Sequence, residues 1–188
     1  LLEPTILRAK ERAPQQQQLL DNTKAEQERR MSLVSTPITT VLPDSRGKTH
    51  AVTLVDCPGH PQFHDDTVAT LALVDGVVLV VDVVEGVQLH TKMCIQNAIA
   101  QGLPISLVIS KFDRLIVELK LPPNDAYFQL RNVIASVNQE IQSCSRNASY
   151  PLLSPDRNNV AFASAQHGFL FTCRSFAELQ NDHSVHGI

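Results

Sequence analysis

An α/β fold built around a mostly parallel sheet is predicted by three observations. Three nearly continuous apolar runs read as strands: residues 76–84 (GVVLVVDVV) buried on both faces, 105–109 (ISLVI) a second buried strand and 160–164 (VAFAS) a third apolar one. Between them lie segments of helical periodicity. Upstream of them, two β-branched runs flank a cluster of turn residues. Strands alternating with helices imply parallel strands with helices on both faces, and ligands in such sheets sit at the carboxyl ends of the strands.

Each element has its own justification. Residues 1–12 can form a short helix, which Pro14 and the run Gln15–Gln18 interrupt, and a flexible stretch follows to about residue 30. Residues 33–42 (LVSTPITTVL) and 50–56 (HAVTLVD) are extended runs on either side of Pro43, Asp44, Ser45, Arg46 and Gly47, an antiparallel hairpin signal. Pro37 places the first of these strands at an edge or at a bulge. Residues 88–101 set Ile95, Ala98 and Ile99 on one helical face. Residues 123–144 set Tyr127, Leu130, Ile134, Val137 and Ile141 at spacings of three and four, and Pro122-Pro123 suits a helix start.

Composition bounds the class. The 188 residues carry 43% hydrophobic and 19% charged residues, which is globular composition and excludes a wholly disordered or collagen-like chain. Sixteen Lys+Arg against nineteen Asp+Glu leave a net charge of −3, with no basic surplus for generic nucleic-acid binding, and no direct DNA binding is expected. Cys57, Cys94, Cys144 and Cys173 lie far apart without a C-x-x-C pair, which reads as reduced intracellular thiols. No run approaches the roughly 18 apolar residues of a membrane span. Asn147-Ala148-Ser149 reads as a chance sequon. The start at Leu1, without a Met, suggests a piece of something longer.

The chemistry is sought at the strand ends. After the second hairpin strand comes Asp56-Cys57-Pro58-Gly59-His60. An Asp there can hold Mg²⁺ through water, since Mg²⁺ prefers hard oxygen and keeps much of its hydration. Gly59 would let the backbone approach a terminal phosphate, and His60 would face that phosphate to orient or polarise a water. Alone, D-x-x-G also describes an ordinary turn. After ISLVI comes Ser110-Lys111-Phe112-Asp113. Asp113 can accept the two guanine donors N1 and N2, which adenine lacks, and the Lys111 stem can lie along the base. After VAFAS comes Ser164-Ala165-Gln166, whose backbone N–H groups can reach the guanine carbonyl. Each motif alone is weak; their order and shared placement at strand ends give them weight.

The joint pattern resembles the Ras-like P-loop GTPase G domain. Glu26-Gln27-Glu28-Arg29 is similar to the E-Q-E-R of translation-factor GTPases, Asp56 to His60 to their D-T-P-G-H, and Ser164 to Thr172 to the fifth-motif region of elongation factor two. Residues 114–127 (RLIVELKLPPNDAY), with Ser35-Thr36-Pro37, resemble the spliceosomal elongation-factor-like GTPases of the U5 small nuclear ribonucleoprotein; this likeness covers roughly residues 19–180.

That resemblance implies a G domain over residues 31–180, preceded by a remnant helix and first switch (1–30) and followed at 181–188 by a connection to further domains. It implies GTP/GDP and Mg²⁺ as cofactors, a GTP-bound switch that controls spliceosomal remodelling, spliceosomal proteins and small nuclear RNA as partners, and a nuclear location. It implies a nucleotide site of Asp56, Cys57, Pro58, Gly59, His60, Ser110, Lys111, Phe112, Asp113, Ser164, Ala165 and Gln166. His60 would act on the attacking water, and Ser32 and Asp56 would serve the metal. The family's phosphate-binding loop, G-x-x-x-x-G-K-[ST], does not occur in these residues. The expectation is a domain lacking its first strand and that loop, which by itself binds GTP poorly. Ser110 replaces the family's Asn, and Ser32 takes the place of its switch Thr. Two alternatives stand beside this reading: a translation or ribosome-assembly GTPase, and a non-catalytic G-domain scaffold. His64, His90 and His167 are expected in ordinary structural or surface roles, and Asp65-Asp66 at the solvated start of the second-switch helix.

Overall fold

The computed structural model describes residues 20–21, 23–43, 47–145 and 150–185, with side chains to residue 180. The expectations for residues 1–12, the glutamine run, residues 44–46 of the hairpin turn and the sequon lie outside them. The described residues form two compact units, one within 20–74 and one within 75–185.

In the first unit, helix α1 (Lys24–Arg29) precedes strands β1 (Thr36–Pro43) and β2 (Thr49–Asp56). β1 and β2 pair antiparallel from Thr36↔Asp56 to Pro43↔Thr49 as a two-stranded sheet of their own. Pro37, opposite Val55, is accommodated because, among the described residues, each strand keeps one edge without a partner. After β2 come a 3₁₀ turn (Pro61–Phe63) and helix α2 (His64–Leu71).

The second unit runs β3 (Val77–Asp82), α3 (Leu89–Ala100), β4 (Ile105–Ser110), α4 (Arg114–Val117), α5 (Pro123–Cys144), β5 (Val160–Ser164), β6 (Phe169–Phe171) and α6 (Cys173–Val185). Its sheet order is β3-β4-β5-β6; the first two pairings are parallel and β5-β6 is antiparallel. This is the mixed, mostly parallel α/β arrangement that the strand–helix rhythm predicts. Leu79, Val81, Leu107, Ile109, Val160 and Phe162 line one face and pack with Ile95 and Ala98 of α3 and Val133, Val137 and Ile141 of α5. Each Val, Leu, Ile or Phe among them, fully buried, contributes about 1.5–3 kcal/mol.

Two expectations need correction. Strand β3 is not buried on both faces: Val78 and Val80 are 60% and 61% exposed. The pleat turns alternate residues to opposite faces, and α3 and α5 pack on the face of Leu79 and Val81. On α5, Tyr127 points outward, pairing edge-on with Phe128, and Val133 takes a core place that the predicted stripe did not include.

Candidate functional site

The first unit gathers the predicted phosphate-side residues. Thr23 caps α1 by accepting from the Glu26 amide, and Glu26 returns the contact by accepting from the Thr23 amide and hydroxyl. The other Glu26 oxygen accepts from the amides of Leu33 (3.0 Å) and Val34 (3.4 Å). One buried carboxylate therefore ties the start of the helix to the chain that follows it. These donors, the Thr23 hydroxyl foremost and the Leu33 amide next, lower the Glu26 pKa to about 2.

Between these anchored amides sits Ser32. Its hydroxyl donates to Asp21 Oδ1 at 2.8 Å. Asp21 is buried, and its charge adds to burial in raising the pKa of Asp56 at the end of β2. Asp21, a residue the sequence reading did not single out, is thus the link between Ser32 and Asp56. Its signal in the sequence was slight, one acid in a polar stretch. Two carboxylates and a hydroxyl offer the hard oxygens that Mg²⁺ prefers, and a cation here would offset the charge that Asp21 adds near Asp56.

Cys57 is a half-buried free thiol. Pro58 is buried, and its carbonyl accepts from Thr67 of α2. Gly59 is exposed, and a Cβ built there meets nothing within 4 Å, so the space beside its backbone is open. His60 caps the 3₁₀ turn: its Nδ1 accepts from the Gln62 amide at 3.2 Å, and its ring packs against Phe63. With Nδ1 occupied as an acceptor, the neutral ring carries its proton on Nε2 and presents a donor. Asp66 is not merely a solvated residue at the start of α2. It accepts from both the amide and the hydroxyl of Ser35, and Thr70 donates in turn to Ser35 at 2.9 Å.

The second unit gathers the predicted base-side residues. Asp82 and Ser110 are register partners at the ends of β3 and β4. Ser110 donates to the Val81 carbonyl at 3.2 Å, so its hydroxyl braces the neighbouring strand. Lys111 has φ 57, a left-handed conformation that is uncommon outside glycine. The turn is held by its neighbours. The Phe112 amide donates to the Ala163 carbonyl at 3.0 Å, and the Phe112 ring packs edge-on against Phe162, Phe169 and Phe171. That amide brings the SKFD turn against the last residues of β5, beside Ser164-Ala165-Gln166. Ser164 is buried and accepts from the His167 amide at 3.2 Å, while Ala165 and Gln166 are exposed in the turn. Asp113 is half-buried, and its carboxylate has no partner among the described residues.

A predicted phosphate-side motif after an antiparallel hairpin, and predicted base-side motifs at the ends of neighbouring parallel strands, are what a GTP-binding domain of the translation-factor type would carry. The profile of the "Elongation factor Tu GTP binding domain" family matches residues 3–183, and the chain belongs to that family. Among similar proteins, pre-mRNA-splicing factor cwf10 of Schizosaccharomyces pombe is 50% identical over 162 residues, covering 86% of this chain and 16% of that protein. The 110 kDa U5 small nuclear ribonucleoprotein component CLO of Arabidopsis thaliana is 46% identical over 169 residues, covering 89% and 17%. The chain therefore spans about a sixth of the length of the curated relatives it matches. Among solved structures, a bacterial selenocysteine-specific elongation factor shares the fold with a TM-score of 0.57 at 20% identity, over 88% of this chain and 24% of that one.

Proposed function

We propose that this chain is the G domain of a GTP-dependent switch protein of the spliceosome. The observation that carries the guanine reading is the packing of the SKFD turn on the end of β5 through the Phe112 amide, with the Asp113 carboxylate left without a partner among the described residues. In this reading Asp113 accepts the two guanine donors, the Lys111 stem lies under the base, and Ala165 and Gln166 offer backbone N–H groups to the carbonyl.

On the phosphate side, Gly59 supplies open backbone, Ser32 and Asp56 serve Mg²⁺ with Asp21 behind them, and His60 orients the attacking water through its Nε2 proton. Mg²⁺ would supply charge neutralisation at the phosphates. Binding of GTP would hold the segment around Ser32 and the segment from Asp56 to His60 in one arrangement, and hydrolysis would release them. The splicing context rests on relatives named as splicing and U5 components, and it implies ribonucleoprotein partners and a nuclear location. The domain boundaries at residues 30 and 180 belong to the same reading.

The test uses the full-length protein. GTP and GDP should bind in preference to ATP, and the protein should co-purify with U5 small nuclear RNA. Co-purification with ribosomal subunits instead would favour a translation or ribosome-assembly role. Failure to bind any guanine nucleotide would leave the scaffold reading.

A further inference from the structure

One charged cluster beside the SKFD turn is not accounted for by the guanine contacts themselves. Asp82, at the end of β3, uses its two carboxylate oxygens differently. Oδ1 accepts from the amides of Val84 (2.8 Å) and Glu85 (3.3 Å), fixing the carboxylate on the turn that ends the strand. Oδ2 lies 2.7 Å from Lys111 Nζ and 3.1 Å from Arg114 Nη1, which also reaches Oδ1 at 3.5 Å. Arg114 is balanced in turn by Glu118, which accepts from its Nε at 2.7 Å.

We propose that Asp82 is a positioning residue for guanine-nucleotide binding: anchored by the turn amides, its carboxylate holds the Lys111 ammonium and so stretches the lysine stem across the base site before a ligand arrives. This deepens the reading of Lys111 as the residue under the base and rests on it.

The physical case is one of preorganisation. A lysine stem has four rotatable bonds, and most of its side chain here is exposed, whereas the Asp82 side chain is largely enclosed. A fixed, enclosed acid restricts an exposed, flexible cation more than the reverse, and the ordering cost is met before binding. Burial works to raise the Asp82 pKa, but the Lys111 contact and the two turn amides outweigh it and hold the group ionised. The left-handed backbone at Lys111, braced by Ser110 and Phe112, brings the ammonium to the end of β3.

The test is a double-mutant cycle on nucleotide affinity in the full-length protein. Asp82→Asn keeps an acceptor for the turn amides and removes the charge; Asp82→Ser, which also keeps an acceptor, is the second variant if the first does not fold. Lys111→Met keeps an apolar stem and removes the ammonium. Asp82→Asn should weaken GTP and GDP by the same factor, about tenfold, because the effect is on the base side. In the Lys111→Met background the Asp82 substitution should cost nothing further. Unchanged affinity in both Asp82 variants, or losses that add in the double variant, would overturn the proposal while leaving the GTP reading intact. A parent protein that binds no guanine nucleotide would overturn both.

Discussion

The hydroxyl of Ser32 donates to Asp21 Oδ1 at 2.8 Å, joining residues eleven positions apart and placing a buried acid behind the candidate metal donors. Stability and function pull in opposite directions at this pair. Burial and the Asp21 charge hold the Asp56 pKa above its ordinary value, so the folded protein bears an electrostatic cost once pH rises above the ordinary Asp range. Asp21→Asn keeps an acceptor for Ser32 and removes the repulsion. The nucleotide-free protein should then melt at a higher temperature at pH 7, while GTP binding should need more Mg²⁺. Thermal melts and Mg²⁺ titrations of the two proteins check both signs.

Glu26 predicts a dependence on acid. Its folded pKa of about 2 lies below the ordinary 4.5. A depressed pKa means that the folded state binds fewer protons, so the stabilisation is full above about 4.5 and is lost as pH falls toward 2. The first unit should loosen in that window, and Glu26→Gln should flatten its response. Circular dichroism or amide exchange followed from pH 6 to about pH 2 reads this directly.

His60 is set up as a donor rather than a base. His60→Ala should lower GTP hydrolysis at saturating nucleotide about 100-fold, in the range that a positioned proton-handling group contributes. His60→Gln, which retains a donor, should recover part of the rate. Equal rates for the two variants would show that the Nε2 proton has no role.

Asp113→Asn exchanges two acceptor oxygens for an acceptor and a donor. The full-length variant should lose GTP affinity and gain affinity for xanthosine triphosphate, whose base presents a carbonyl where guanine presents its amino group. A nucleotide competition assay measures the reversal, and an unchanged preference would remove Asp113 from the base site.

The elements that the sequence made plain are those whose boundaries have a local cause. The 123–144 helix begins at Pro123 because a proline pair suits a helix start, and it begins there in the structure. Strand 160–164 was equally plain, as a short apolar run. The run 76–84 is shortened to β3 at both ends; it stops at Asp82 because that side chain turns back onto the amides of Val84 and Glu85. β6 has only three residues, too few for a period to emerge, and it exists through its pairing with β5. Helix α1 lay in a stretch read as flexible, although Thr23-x-x-Glu26 carries the capping-box signal that marks a helix start.

The site was legible as motifs and not as a network. Ser110 and Ser164 close β4 and β5, as expected, because neighbouring parallel strands end together. The supporting acids Asp21 and Asp82 depend on contacts across 11 and 29 positions of chain, and no spacing rule encodes those.

The β1–β2 ribbon has a consequence for how the molecule opens. Among the described residues it is two strands with no third strand on either edge, and Ile38, Val41, Leu42 and Leu54 stand exposed upon it. Two-stranded ribbons are marginal in water. Its amides should therefore trade their hydrogens for solvent deuterium well before those of β4, which lies between two partners. Edges of this kind are where a second chain can add a strand during refolding at high concentration.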